Sequence, residues 1–250
     1  MVYLTGDTHG DPDRVRSIRK RLRGRLGPTD FLLVLGDFGF VFNGRAPETA
    51  ELDRLARMRT TFLFIDGNHE NFDRLEAYPE AGWNGGRVHI VRRNVLHLMR
   101  GHVFTIEGNA YFAMGGAYSQ DKPWRTEGRT WWAREQPSEE EYARGMRSLA
   151  AHDHRVDFIL THAAPGETIA LHGHVRPEEA PLNAYLDWVR RTTEYRGWYF
   201  GHIHHDASLW RNQAAVYEGI LEIPPAGAPV ASAGCAVRPT SRGTGAGSRR

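Results

Sequence analysis

Short runs of apolar residues punctuate the first part of the chain, and each stops at a polar turn that contains glycine. Val2-Tyr3-Leu4 leads into Gly6-Asp7-Thr8-His9, Phe31 to Leu35 into Gly36-Asp37, and Phe62 to Ile65 into Gly67-Asn68-His69. Runs this short, rich in branched and aromatic residues, predict strands buried on both faces. Between them the apolar period lengthens. Over Asp11 to Arg25, Val15, Ile18 and Leu22 lie three and four residues apart, and over Ala50 to Met58, Leu52, Leu55 and Met58 lie three apart. That spacing lines one face of a helix. Strand, helix, strand, helix, strand implies a parallel sheet with right-handed crossovers, and polar residues at the strand ends then gather along one edge.

The pattern changes further on. Val88 to Val91, Val95 to Leu98, Val103 to Ile106 and Tyr111 to Met114 are closely spaced strand candidates with no room for helices between them, which predicts an antiparallel portion. Residues 117–137 are rich in Trp and Arg and read as a loop. Ser138 follows as an N-cap with Glu141 as its capping-box partner. Val156 to Leu160 reads as a buried strand ending at Thr161-His162, Leu182 to Val189 as a helix, and Trp198-Tyr199-Phe200 as a strand ending at Gly201-His202-Ile203-His204. After about residue 226 the chain turns to Gly, Ala, Pro, Ser and Arg, so residues 1–225 are expected to form one domain and 226–250 a flexible tail.

Composition narrows the field. The chain has 250 residues and a formal charge of +2, too small a charge to imply a nucleic-acid partner. No apolar run nears the roughly 20 residues that span a bilayer, and no signal-peptide pattern opens the sequence. The lone Cys235 forms no internal disulfide, so the expected setting is the cytoplasm, with no membrane partner. Nothing in the sequence speaks to oligomeric state. Thirteen histidines against one cysteine turn any metal chemistry toward imidazole and carboxylate ligands.

Five polar clusters follow apolar runs: Asp7-Thr8-His9, Asp37, Asn68-His69, His162, and His202-Ile203-His204. Singly each has an ordinary reading. An Asp after a strand is usually a turn residue, and a lone His is usually a hydrogen-bonded one. Crowded at one edge, two carboxylates, an amide and several imidazoles would be costly to bury without a partner. Divalent cations supply it, and the mixed donor set suits manganese, iron or zinc. His152/His154 and His172/His174 show similar spacing but follow no buried strand, and are assigned to surface loops.

In order, Asp-x-His, Gly-Asp, Gly-Asn-His-Glu, a lone His and Gly-His-x-His resemble the signature of the calcineurin-like metallophosphoesterase superfamily, from Asp7 to His204. The resemblance implies an α/β fold of two facing mixed β-sheets flanked by helices, a single-domain sandwich. It also implies two divalent metal ions. Asp7, His9 and His204 correspond to ligands of one, Asn68, His162 and His202 to ligands of the other, and Asp37 to the bridge. His69 corresponds to a non-ligand histidine that contacts substrate and donates a proton. The implied chemistry is phosphoester hydrolysis by a phosphatase or phosphodiesterase. Cations roughly 3.5–4 Å apart share a bridging hydroxide, and a histidine acts as general acid. The protein Ser/Thr phosphatases of the superfamily carry Asp and Arg where this chain has Phe40 and Val41, which argues against that subgroup.

Two alternatives stand beside the hydrolase: a metal-stabilised binding module on the same fold, and a nuclease or nucleic-acid repair phosphatase. A binding module should have lost a ligand or His69, and none is lost; a nuclease should carry a broad basic groove. In the segment 117–137, Trp124 and Arg125 are candidates for the pocket rim, where they would bind a phosphoester substrate such as a nucleotide; Trp131 and Trp132 read as packing residues. The arginine-rich first helix reads as a solvated face.

Overall fold

The computed structural model describes residues 1–171, 176–209 and 212–228. Two sheets face each other. The first has seven strands in the order β13-β1-β2-β3-β6-β5-β4: β13 (Leu221–Ile223), β1 (Val2–Thr5), β2 (Phe31–Leu35), β3 (Thr61–Ile65), β6 (Val95–Leu98), β5 (Gly86–Arg92) and β4 (Glu80–Trp83). The second has six in the order β11-β12-β10-β9-β8-β7: β11 (Ala207–Leu209), β12 (Gln213–Ala215), β10 (Gly197–Phe200), β9 (Phe158–Thr161), β8 (Asn109–Met114) and β7 (His102–Ile106).

Strand alternation builds both layers at once. Leu4, Leu33, Leu35, Leu63 and Ile65 point inward to meet Phe104, Tyr111, Ala113 and Leu160 of the facing sheet. Their neighbours Tyr3, Leu32, Val34, Phe62 and Phe64 point outward beneath α1 (Pro12–Arg21) and α2 (Ala46–Ala56), whose Val15, Ile18, Leu52 and Leu55 cover them. On the other side, Phe112, Met114, Ile159, Trp198 and Phe200 pack under α4 (Glu139–Ala150), α5 (Gly166–Ala170) and α6 (Ala180–Thr192). A period of two with apolar residues at every position is what a sheet covered on both faces requires. At about 1.5–3 kcal/mol per buried large aliphatic side chain, these layers supply the main drive to fold.

The expected crossovers are present: β1, β2 and β3 pair in parallel around α1 and α2. The mid-chain strands differ from expectation. They do not form one antiparallel portion but divide between the sheets. β5 pairs antiparallel with β6, and β6 parallel with β3; β7 pairs antiparallel with β8, and β8 parallel with β9. The chain changes sheets between β6 and β7, at Gly101, whose φ of +77° suits glycine. Short strands β4, β11, β12 and β13 and helices α3 (Phe72–Leu75) and α5 carry no period long enough to read from sequence.

Asp11 caps α1, accepting a hydrogen bond from the Asp13 amide. The Ser138–Glu141 capping box opens α4. Arg14, Arg21 and Arg25 do not all face solvent: they bind the Tyr217 carbonyl, the Glu218 carbonyl and the Glu222 carboxylate, fastening α1 to the strand β13 region. The expected tail lies mostly in 229–250, outside the described residues, as does Cys235. Before it, the Ala226 amide still bonds the Glu107 carbonyl at 2.8 Å.

Candidate metal centre

All five polar clusters that follow apolar runs reach the same edge, and both sheets contribute. Asp7, Asp37 and Asn68 follow β1, β2 and β3; His162, His202 and His204 follow β9 and β10. One ligand atom each from Asp7, His9, Asp37 and His204 lies within 4.8 Å of all the others. His204 Nε2 stands 3.0 Å from His9 Nε2 and 3.0 Å from Asp7 Oδ2. Yet Asp7 Oδ2 is buried and accepts no hydrogen bond of usable geometry. A buried carboxylate oxygen left without a donor, with imidazole nitrogens converging on it, fits a cation.

Asp37 is 1 % exposed and joins this group to a second. Its Oδ1 accepts the His69 amide at 2.8 Å, while Oδ2 lies 3.8 Å from His9 Nδ1 and 3.4 Å from His162 Nε2. His162 is fully buried. Its Nδ1 donates to the Leu35 carbonyl at 2.8 Å, which fixes the tautomer and leaves Nε2 facing Asp37 and, at 3.3 Å, Asn68 Oδ1. The Asn68 amide is oriented in turn: its Nδ2 donates to Ser119 Oγ at 3.1 Å, so the oxygen faces the site. His202 is nearby, its ring 5.0 Å from that of His162 and its amide 3.3 Å from Asp7 Oδ1. Its Nε2, however, lies 3.5 Å from Glu179 Oε1, and it is not among the four tightly converging residues.

Electrostatics follow from this crowding. Burial works to raise the Asp37 carboxyl, but the imidazoles of His162, His69 and His9 hold it far below the usual carboxylate range. Burial works to lower His162, yet the Asp37 carboxylate brings it up to about 10. A proton here does what a cation would do, balancing Asp37.

The motif glycines are explained by contact. A Cβ on Gly36 would overlap the His162 ring, and one on Gly67 would overlap the Asp37 carboxylate. The ligand loops can close on the site only because these positions lack side chains. The backbone is also held unusually: His9 (φ 48°), Asp37 (φ 48°), His202 (φ 67°) and His204 (φ 52°) occupy the left-handed region. Non-glycine residues there cost of order 1–3 kcal/mol each and cluster at working sites. Glu70, also buried, holds the Asp37 turn by accepting the Phe38 amide at 2.7 Å.

His69 stands at the mouth of the site. Burial lowers its pKa, Asp37 opposes, and Arg125 and His9 lower it further. Arg125 Nη2 lies 3.2 Å from His69 Nδ1. A guanidinium only donates, so Nδ1 is the acceptor and the His69 proton sits on Nε2. Phe40 and Val41 are buried in the outer core and take no part.

The segment 117–137 folds over this mouth. Glu135, fully buried, accepts from the Ser119 amide at 2.8 Å, from Ser119 Oγ at 2.7 Å and from Lys122 Nζ at 2.8 Å. Arg125 Nη1 reaches the same Ser119 Oγ at 3.0 Å. Trp132 is buried with its Nε1 donating to Asp73 at 2.8 Å, and Trp131 lies under Lys122, as packing residues should. Trp124 is 84 % exposed and lines no cleft of the site. Tyr118, from the Trp- and Arg-rich segment, completes the wall with Gln120, Asp121, Arg176 and Glu179, which carried no sequence signal of their own. His152 and His154 lie in turns away from the site, while His172 and His174 fall outside the described residues.

The chain matches the calcineurin-like phosphoesterase family over residues 1–206 and belongs to it. No curated protein matches the sequence. Among solved structures, it is similar to a 2.05 Å crystal structure designated a 5′-nucleotidase, from Staphylococcus aureus, in complex with alpha-ketoglutarate. The two share 15 % identity and a TM-score of 0.47 over 88 % of this chain and 50 % of that one, so this chain spans about half its length. Among the described residues, no helix is long and apolar enough to cross a membrane.

Proposed function

We propose that the chain is a dinuclear metal-dependent phosphoester hydrolase whose catalytic domain spans residues 1–225. The observation that carries this reading is the convergence of Asp7, His9, Asp37 and His204 around an unsatisfied buried carboxylate oxygen. These four residues would hold one cation, manganese, iron or zinc; Asp37, Asn68, His162 and His202 would hold the other. Supporting the second position are the facing Asp37 Oδ2, His162 Nε2 and Asn68 Oδ1. What the cations supply when bound is neutralisation of phosphoryl charge and a water acidic enough to attack at neutral pH.

The chain's own residues do the rest. Asp37 places negative charge between two positive positions, which an amide in its place would not. His69 keeps Nε2 free of Arg125; as the imidazolium it can pass a proton from Nε2 to the departing ester oxygen and return to neutral imidazole. Arg125 offers its guanidinium to a phosphoryl oxygen, and in turning to it would free His69 Nδ1 to take up the proton that makes the imidazolium. A phosphoryl anion bound beside His69 offsets the field of the arginine.

Reconstitution with manganese, iron or zinc should give hydrolysis of p-nitrophenyl phosphate, its bis ester or nucleotides. His69→Ala should retain metal and lose about 10²–10⁴ in kcat. Asp37→Asn should lose metal content and activity more completely than His204→Ala does. A chain that hydrolyses none of these with any metal would be a metal-stabilised binding module instead.

A further inference from the structure

The metal centre lies on a divide. One cleft, about 380 Å³, opens on the side of Asn68, Tyr118, Gln120, Glu179 and His202. A second, about 430 Å³, opens on the side of His9, Gly10, Phe42, Asn43 and Arg125. His69 lines both. A phosphomonoester has one organic arm and needs room on one side of the phosphorus. Two clefts meeting at the proton donor provide room for two arms, and each has apolar wall to receive one: Ile169 and Ile203 in the first, Pro12 and Phe42 in the second.

Charge points the same way. Among the described residues, apart from the proposed ligands and His69, the charged side chains on these walls are Asp121, Arg176 and Glu179 in the first cleft and Glu48 and Arg125 in the second. Arg125, the cation beside His69, has its charge partly offset by Asp121 at 3.2 Å. Glu179 is committed to the Tyr118 amide and Glu48 to the Asn43 amide, each at 2.8 Å. Two arginines against three carboxylates leave these described walls with no positive charge beyond that of the cations themselves. A phosphomonoester carries about −1.5 to −2 near neutral pH, whereas a diester carries one negative charge. The buried Phe40 and Val41 add no further cation.

We propose that the substrate is a phosphodiester that lays one ester arm in each cleft, with His69 beside the bond that breaks. The inference rests on the hydrolase reading of the same site. Water adds its oxygen to phosphorus, and one P–O ester bond breaks. The departing oxygen takes a proton from the His69 imidazolium, which a proton from the water restores. The products are a phosphomonoester and an alcohol.

The test compares kcat/KM for bis(p-nitrophenyl) phosphate and p-nitrophenyl phosphate on the manganese-loaded full chain. The diester should be preferred about tenfold or more, roughly 1.4 kcal/mol or more in transition-state binding. Asn43→Trp, which narrows the second cleft, should lower the diester-to-monoester ratio about tenfold. Gln120→Trp does the same from the first cleft and stands in if the other variant misfolds. A preference for the monoester, or a ratio unmoved in a folded variant of either cleft, would overturn the diester assignment and leave the hydrolase intact. No turnover of either ester with manganese, iron or zinc would remove the hydrolase reading and this inference with it.

Discussion

His89 and His97 face each other Nδ1 to Nδ1 at 2.9 Å, stacked with their planes 5° apart, and His97 Nε2 reaches Asp66 Oδ1 at 3.0 Å. Burial lowers His89 to about 4, with His97 adding to the effect and Glu80 and Asp66 opposing it. Unfolded, the same imidazole titrates near 6.5. Between these values the unfolded chain binds more protons, so stability is intact above the upper value and falls as pH drops through the window. His89 should account for a loss on the order of 2 kcal/mol from pH 6.5 to 4. His102, lowered to about 4 by burial and by Arg144, adds to the slope. In His89→Gln, urea-unfolding free energies should change less steeply across that range, whatever the variant's absolute stability. Parallel slopes in parent and variant would refute the assignment.

At the scale of elements, α4 links fold to site. Its capping-box Glu141 also meets Arg100 at 3.1 Å, and Arg100 binds Asp66 Oδ2 and the carbonyls of Arg134 and Glu135. Glu135 then positions Ser119, the partner of both Asn68 and Arg125. Ser138→Ala should cost about 1 kcal/mol in chemical denaturation through loss of the cap; an unchanged midpoint would count against the cap's role. The capping box was legible because its chemistry is local, three residues apart. So were the strand ends bearing Asp7, Asp37 and Asn68, because a buried apolar run closing on glycine and a polar residue is a local pattern. Glu179 and Gln120 were not legible as wall residues. They arrive from a helix start and a loop distant in sequence, and only the folded path places them beside His202. Strands β4, β11, β12 and β13 escaped for a related reason. Edge and three-residue strands are held by neighbours rather than by a period of their own. The split of β5 to β8 between two sheets depends on one turn at Gly101, which spacing alone does not encode.

At the scale of the whole molecule, the proposed centre joins one sheet to the other, and its two halves differ in depth. Asp37, Asn68 and His162 are 1 %, 5 % and 0 % exposed, whereas the side chains of His9 and His204 are 31 % and 50 % exposed. The two cations would therefore have unequal residence times. A chelator would reach the ion at the His9 and His204 rim first; the ion beside Asn68 and His162, reached through the first cleft but held by buried donors, would leave more slowly. Metal content measured during dialysis against a chelator should fall in two phases of similar size, the first fast and the second slow, rather than in one. The half-stripped species between them would still have its sheets pinned together while being unable to turn over substrate, so that loss of activity precedes loss of fold.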